Sequence, residues 1–404
     1  MTEVSQSAEE LRLFVVAGEH SGDALGGKLM AALKQRLGGR VTFNGVGGEA
    51  MQHEGLVSDF PISDVAVMGP LAILRHLPRI LNRVYGTVDR AIALEPDAVV
   101  IIDSPEFTHP IARRIKKRRP DIPIVDYVCP SVWAWRQGRA RKMLSYIDHV
   151  MGLLPFEPAA LERLGGPKCT YVGHPLIERR DWLRDLDTSP LVAELDLRPS
   201  RPVVVVLPGS RRSEVTRLME PFGDAVRGLC ERGPQPEVII PVVESVRGLV
   251  EAGMKGWPLK PHLITGDESK FRAFKLADAA IAASGTVTLE LALAATPMVV
   301  AYKVDPLATG VRYLLNIPSV VLPNLMLGEN AFPEFLQEDC TGEKLAHAVA
   351  ELLDKESGSL ARQRSALARI PAVLDTGGKA PSEAAADVVL HCAALGKSRR
   401  GGPT

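Results

Sequence analysis

Apolar residues recur along this chain in two rhythms. Short, nearly continuous β-branched runs, RLFVVA (Arg12 to Ala17), DAVVIID (Asp97 to Asp103), IPIVDYV (Ile122 to Val128), PVVVVLP (Pro202 to Pro208) and PMVVAYK (Pro297 to Lys303), alternate with stretches of helical spacing such as Leu25, Leu29, Leu33 and Leu37. Runs without polar alternation suit strands buried on both faces, because helices then shield each side of the sheet from water. Strand, loop and helix repeating in that order predict an α/β fold built on doubly wound parallel sheets. Between Arg179 and Pro202 the pattern breaks into a charged, proline-punctuated segment, RRDWLRDLDTSPLVAELDLRPSR, and then begins again. This predicts two Rossmann-like domains, residues 1–178 and 179–396, with Gly18 and Gly209 each following the first strand of its half. The tail KSRRGGPT, residues 397–404, has no core residues and is expected to be disordered.

Composition narrows the class. A chain of 404 residues, 46% hydrophobic and 24% charged, exceeds what one core usually supports. Lys plus Arg and Asp plus Glu both total 48, so no global excess of charge points to nucleic acid. Cys129, Cys169, Cys230, Cys340 and Cys392 are scattered without a C-x-x-C pair, which argues for reduced thiols and against a zinc or redox site. The start MTEVSQSAEE lacks the basic and apolar parts of a secretion signal. The longest apolar run, Leu291 to Ala301, contains Pro297 and is too short to cross a bilayer. A cytoplasmic protein is expected, with any membrane contact peripheral.

Three motifs invite a nucleotide or metal reading that their context weakens. Gly22 to Leu29, GDALGGKL, fits G-x-x-x-x-G-K but puts Leu29 where a phosphate-binding loop needs a hydroxyl for magnesium. The leucine spacing starts a helix near Asp23, so Gly26 and Gly27 fall in its first turns rather than in a loop. Gly45 to Ala50, GVGGEA, fits the dinucleotide fingerprint but follows the second strand, so close backbone packing or a sugar contact is the better reading. Asp185-Leu186-Asp187 resembles a D-x-D metal clasp, yet it sits in the charged interdomain segment with no strand before it.

The second half carries stronger signals. Gly209-Ser210-Arg211-Arg212 lies between a strand and a helix expected from about Ser213, where free amides and two guanidinium groups suit a diphosphate. A second strand, DAAIAAS, leads through Ser284-Gly285-Thr286 into another helix, and Glu290 follows one turn later, placed to accept both hydroxyls of a ribose. Ordinary helix capping explains Thr286 and Glu290 equally well.

Seven fragments, GEHSGD (Gly18 to Asp23), GVGGEAM, PSVWAWR (Pro130 to Arg136), LPFE, VGHP (Val172 to Pro175), LPGSRRSE and SGTVTLE, occur in the order found in the lipid-A-disaccharide synthase family, which the chain resembles over nearly its whole length. The resemblance implies a GT-B glycosyltransferase of two Rossmann-like domains facing across a cleft, with a UDP-sugar held mainly by the C-terminal domain and an acceptor by the N-terminal one. It implies transfer of 2,3-diacylglucosamine from UDP-2,3-diacylglucosamine to 2,3-diacylglucosamine 1-phosphate, giving a β-1,6-linked disaccharide and UDP. It further implies that Gly209, Ser210, Arg211, Arg212, Ser284, Gly285, Thr286 and Glu290 form the nucleotide site and that Asn324 and Asn330 belong to a late donor-side loop.

Such a transfer needs no metal or other cofactor if preorganised donors, Arg211 first, stabilise the departing diphosphate. It does need a base. Asp103 ends an apolar strand at the sheet's carboxyl edge and matches the family's strand-terminal aspartate, while Glu19, His20 and Asp23 in the first loop, with Gly18 and Ser21 beside them, are rivals or substrate contacts. The family's D-x-P-x-F-N here ends in Thr108, which puts an amide contact from that position in doubt. Trp133 and Trp135 would share one face if extended, either stacking on a sugar or filling core.

Lipid substrates require a membrane. From Leu71 to Lys142 there are 14 Lys or Arg against 7 Asp or Glu, a local excess suited to anionic headgroups on the inner face of the inner membrane. Within it, Arg75, Arg79 and Arg83 lie beside Leu74, Leu77, Leu81 and Val84, as in an interfacial helix or a surface helix packed on its own sheet, and Val65 to Leu77 offers room for acyl chains. A homo-oligomer stays open. The competing readings are a transferase using UDP-N-acetylglucosamine and a membrane-docked nucleotide-binding module without catalysis.

Overall fold

The structure is a computed structural model that describes residues 10–65, 70–304 and 317–401, with backbone alone at 70–75 and 401. Two compact units emerge, Met1–Pro175 with Thr376–Thr404, and Leu176–Asp375. The first holds β1 (Leu11–Ala17), β2 (Val41–Val46), β3 (Val57–Ser58), β4 (Ala98–Ile102), β5 (Ile124–Tyr127), β6 (His149–Gly152) and β7 (Cys169–Tyr171), ordered β3-β2-β1-β4-β5-β6-β7. The second holds β8 (Val203–Leu207), β9 (Glu237–Pro241), β10 (His262–Ile264), β11 (Ala279–Ala283), β12 (Met298–Tyr302) and β13 (Glu334–Leu336), ordered β10-β9-β8-β11-β12-β13. Every strand pairing among the described residues is parallel. The continuous apolar runs behave as their composition requires: every residue of β4 and of β11 is buried.

Strand order reverses between β1 and β4 in one sheet and between β8 and β11 in the other. At such a switch point the connections leave toward opposite faces, opening a crevice at the carboxyl ends of the strands. Gly18 and Asp103 follow β1 and β4, and Gly209 and Ser284 follow β8 and β11, so the sequence signals converge on both crevices.

The end of the chain departs from expectation. Residues 376–396 were expected in the second domain and 397–404 in no structure, yet Thr376–Thr404 groups with the first unit and helix Pro381–Gly401 continues through the basic segment. Its Ala385, Ala386, Val389 and Ala393 join the core of the first sheet, small side chains that let a helix lie close. Arg399 pairs with Asp148 at 3.0 Å and Arg400 with Asp97 at 2.9 Å, fixing what composition alone marked as tail. Residues 402–404 lie outside the described residues.

Candidate active site

The first loop uses its glycines for packing. Helix His20–Leu37 starts three residues before the expected Asp23. A Cβ on Gly18 would sit 2.6 Å from Ser104 Cβ, so glycine is what lets this loop meet the loop after β4. Asp23 is buried, and its carboxylate accepts the backbone N–H groups of Gly48 (2.7 Å), Ala50 (3.0 Å) and Met51 (3.1 Å) at the start of helix Glu49–His53. It thus occupies the place a dinucleotide pyrophosphate would take in GVGGEA. A Cβ on Gly48 would lie 2.7 Å from Asp23 Oδ2, while Gly26 and Gly27 pack against Met51 and Ala50. Asp23 is therefore a cap and no rival base; Glu19, His20 and Ser21 are exposed at the helix start.

Asp103 stands on strained backbone. Asp103 and Ser104 have φ of 54° and 46°, consecutive left-handed residues of the kind found where structure is held for function. Neighbours hold the turn: Asp103 N–H donates to the Tyr127 carbonyl (3.0 Å), and the buried Thr108 hydroxyl donates to the carbonyls of Asp103 (2.8 Å) and Ser104 (3.1 Å). Threonine at that position thus braces the turn. The Asp103 carboxylate accepts Ser104 N–H (2.8 Å) and the Ser21 hydroxyl (3.3 Å) and stays part-exposed.

Behind this edge lie buried groups that sequence spacing gave no means of pairing. His109 Nδ1 is 3.1 Å from Tyr146 Oη and its Nε2 is 3.2 Å from Asp126, whose carboxyl is pushed up chiefly by burial, opposed by His109 and reinforced by Asp103. Glu157 is also buried; it accepts Leu154 N–H (2.9 Å) and the Trp133 indole N–H (3.2 Å), and burial still pushes it up to about 7. Trp133 is 9% exposed on a 3-10 turn, packed edge-on to Phe156, whereas Trp135 is 36% exposed beneath the Arg136 guanidinium. The two tryptophans do not alternate along a strand. Trp133 fills core, and Trp135 alone offers a ring to solvent.

The crevice of the second unit is a cleft of about 860 Å³ lined by Gly209, Ser210, Arg211, Ser284, Gly285, Thr286 and Glu290, all expected there. Its donors are partly engaged. Glu214, almost buried, accepts the N–H groups of Ser210 (3.1 Å) and Arg211 (3.2 Å) and the Arg211 guanidinium (3.0 Å), so those two amides are not free as the spacing suggested. The Arg211 side chain nevertheless stays 69% exposed, and helix Arg212–Arg232 begins beside it. Thr286 makes no capping bond with its side chain and is exposed to the cleft, which removes the capping explanation for it. Ser284 donates its hydroxyl to the Val320 carbonyl (2.8 Å). Two segments that no motif marked complete the wall: Pro241, the last residue of β9, through Glu244, and Thr265, Gly266, Asp267 and Lys270 at the helix start that follows β10.

The family model described as lipid-A-disaccharide synthetase matches residues 13–386. Lipid-A-disaccharide synthases from Bradyrhizobium diazoefficiens and Rhodospirillum centenum are 50% identical over 391 residues (96% of this chain, 98% of the relative) and 42% identical over 382 residues (94% of each). The chain belongs to the lipid-A-disaccharide synthase family. Among solved structures, the UDP-GlcNAc 2-epimerase from Neisseria meningitidis bound to UDP-GlcNAc is similar with a TM-score of 0.65 at 12% identity, covering 94% of this chain and 100% of that one. A glycosyltransferase from Rickettsia africae gives 0.60 at 11% identity, covering 98% and 100%. These distant likenesses show the fold, GT-B, with two parallel-sheet α/β domains, and the family makes the chain a glycosyltransferase.

Membership in the lipid-A-disaccharide synthase family gives its ordered fragments places in this structure. The residues of LPGSRRSE and SGTVTLE meet at the cleft, those of GEHSGD meet the Asp103 turn, and LPFE holds PSVWAWR through Glu157 and Trp133. Three expected contacts fall elsewhere. Arg212 is exposed and outside the cleft lining. Asn324 is 2% exposed and spends its amide on the Phe332 carbonyl (2.8 Å), the Phe332 N–H (3.0 Å) and the Ser319 hydroxyl (3.2 Å), so it braces its own loop. Asn330 is exposed and also outside that lining. Asp185 pairs with Arg184, and Asp187 accepts Ser189 N–H (2.9 Å) and its hydroxyl (2.8 Å), turning the D-x-D lookalike into local capping.

Proposed function

We propose that the protein transfers 2,3-diacylglucosamine from UDP-2,3-diacylglucosamine to the 6-hydroxyl of 2,3-diacylglucosamine 1-phosphate, with inversion and without a metal. The observation that carries this reading is the division of chemistry between the switch points of a family member: an exposed guanidinium beside a nucleotide-sized cleft at one, a fixed carboxylate at the other. The acceptor oxygen attacks the donor's anomeric carbon, the bond from that carbon to the UDP oxygen breaks, and its electron pair stays on the diphosphate. Arg211 stabilises that growing charge; a preorganised donor of this kind is worth about 3 kcal/mol. Asp103 takes the proton as the oxygen attacks, and its braced turn keeps the carboxylate aimed without reorganisation.

Peripheral docking on an anionic membrane completes the reading. Helix Pro70–Leu94 turns Val84 and Val88 into the protein and leaves Leu77, Leu81 and Tyr85 exposed at 40%, 42% and 54%. Arg79 and Arg83 flank this stripe and share Asp64 at 3.6 and 2.7 Å. An apolar stripe four residues apart in step suits the headgroup boundary. Residues 66–69 and the side chains of 70–75, Leu74 and Arg75 included, lie outside the described residues. Among the described residues no helix is long and apolar enough to cross a membrane.

The test incubates the purified protein with both acylated substrates in EDTA and follows products by mass. The expected outcome is a tetra-acylated disaccharide monophosphate and UDP; equal use of an unacylated UDP-N-acetylglucosamine donor, or a strict need for added divalent ion, contradicts the reading.

A further inference from the structure

In the second unit's cleft, Glu290 does not stand alone. Lys270, on helix Asp267–Leu276, places its ammonium 3.0 Å from both Glu290 Oε1 and Oε2 and 3.0 Å from Asp267 Oδ1. Asp267 is itself paired with Arg179, and the Lys270 ammonium lies 4.7 Å from the centre of the Phe271 ring. An ammonium has three N–H donors, and here three carboxylate oxygens of two residues surround it. Three carboxylate oxygens and the ring of Phe271, which is 1% exposed, thus hold the charge in place rather than leaving it to sweep the cleft.

We infer that Lys270 is a positioning residue for nucleotide recognition, holding the Glu290 carboxylate so that its two oxygens accept the two ribose hydroxyls of a uridine nucleotide. This rests on the donor-site reading of the cleft given above. The reasoning is geometric. A carboxylate at the end of a glutamate has three side-chain torsions, and pairing both oxygens to one fixed cation selects a single orientation of its plane. Each carboxylate oxygen can accept more than one donor, so two vicinal hydroxyls can each bond one oxygen beside the ammonium. Electrostatics point the same way: Glu214, Glu244, Asp267 and Glu290 all line the cleft, and a dianionic diphosphate enters only if those charges are offset. Arg211 offsets Glu214 and Lys270 offsets Glu290. With its donors spent on carboxylates, Lys270 acts through Glu290 rather than on phosphate.

The test compares binding of UDP and 2′-deoxy-UDP to the full chain by calorimetry for wild type, Lys270→Met, Lys270→Arg, Glu290→Gln and the double variant Lys270→Met/Glu290→Gln, with melting temperature measured alongside. Wild type is expected to prefer UDP by about tenfold, the worth of one hydrogen bond to a charged group. Lys270→Met and Glu290→Gln each bring that preference to within about twofold, the double variant adds nothing further, and Lys270→Arg restores most of it. A purely structural lysine would lower the melting temperature and leave the preference intact, and a phosphate-contacting lysine would weaken both ligands equally; either result overturns the inference. If Glu290→Gln keeps the wild-type preference, or wild type does not bind UDP, the donor-site reading itself fails. A lost preference in Glu290→Gln with an intact one in Lys270→Met removes Lys270 alone.

Discussion

The two switch-point edges share one topology and diverge in what fills them. In the first unit, the helix start that resembles a dinucleotide site is closed by the protein's own Asp23, and Asp103, the base we propose, stands next door on a strained turn. In the second, Glu214 engages the amides beside Arg211 yet leaves an open cleft walled by the segments that follow four strands. A glycine-rich turn ahead of a helix is therefore no sign of a ligand until the owner of its amides is known. Fold supplies the crevice, and buried carboxylates decide which helix-start amides beside it stay free.

The proposed function puts chemistry at one edge and nucleotide at the other, and variants can separate them. Asp103→Asn carries the largest expected effect, a loss of turnover of about a thousandfold with UDP affinity nearly unchanged, measured as kcat beside calorimetric Kd. Unchanged turnover removes Asp103 as the base. Arg211→Ala comes next, with kcat/KM for the donor falling about a hundredfold; normal donor kinetics would take the guanidinium out of the reaction. Asp23→Ala tests the filled site: three N–H groups lose their acceptor, so denaturant titration should find a loss of about 3 kcal/mol and no gain of dinucleotide binding.

The smallest effect concerns Glu157. Its folded value of about 7 lies above the usual 4.5, so between those values the folded state binds more protons than the unfolded one. Stability then falls as pH rises through this window, by about 2 kcal/mol from pH 5 to pH 7, and Glu157→Gln should flatten that slope in melts across the range. A slope unchanged by the substitution would mean that Glu157 is ionised throughout.

Much of this was legible because the strands are uniform. Runs such as AVVII and AAIAA have one stable use, and the glycine, serine and threonine residues after β8 and β11 sit where strands end. Other features need the third dimension. Lys270 and Glu290 are twenty residues apart and meet only because their helices flank the same cleft. Asn324 looks like any loop amide until Phe332 folds back onto it. The C-terminal helix has an apolar face that names no partner, and only packing shows that it joins the first sheet. Glu214 was the missed signal closest to hand, since a carboxylate three residues beyond the N-cap Arg211 is the spacing of a capping box.

The most direct measurement is a crystal of the protein soaked with UDP. The account predicts diphosphate density within hydrogen-bond reach of Arg211 and the ribose against Glu290. Density at the Asp103 turn, with the cleft between β8 and β11 left empty, would contradict it.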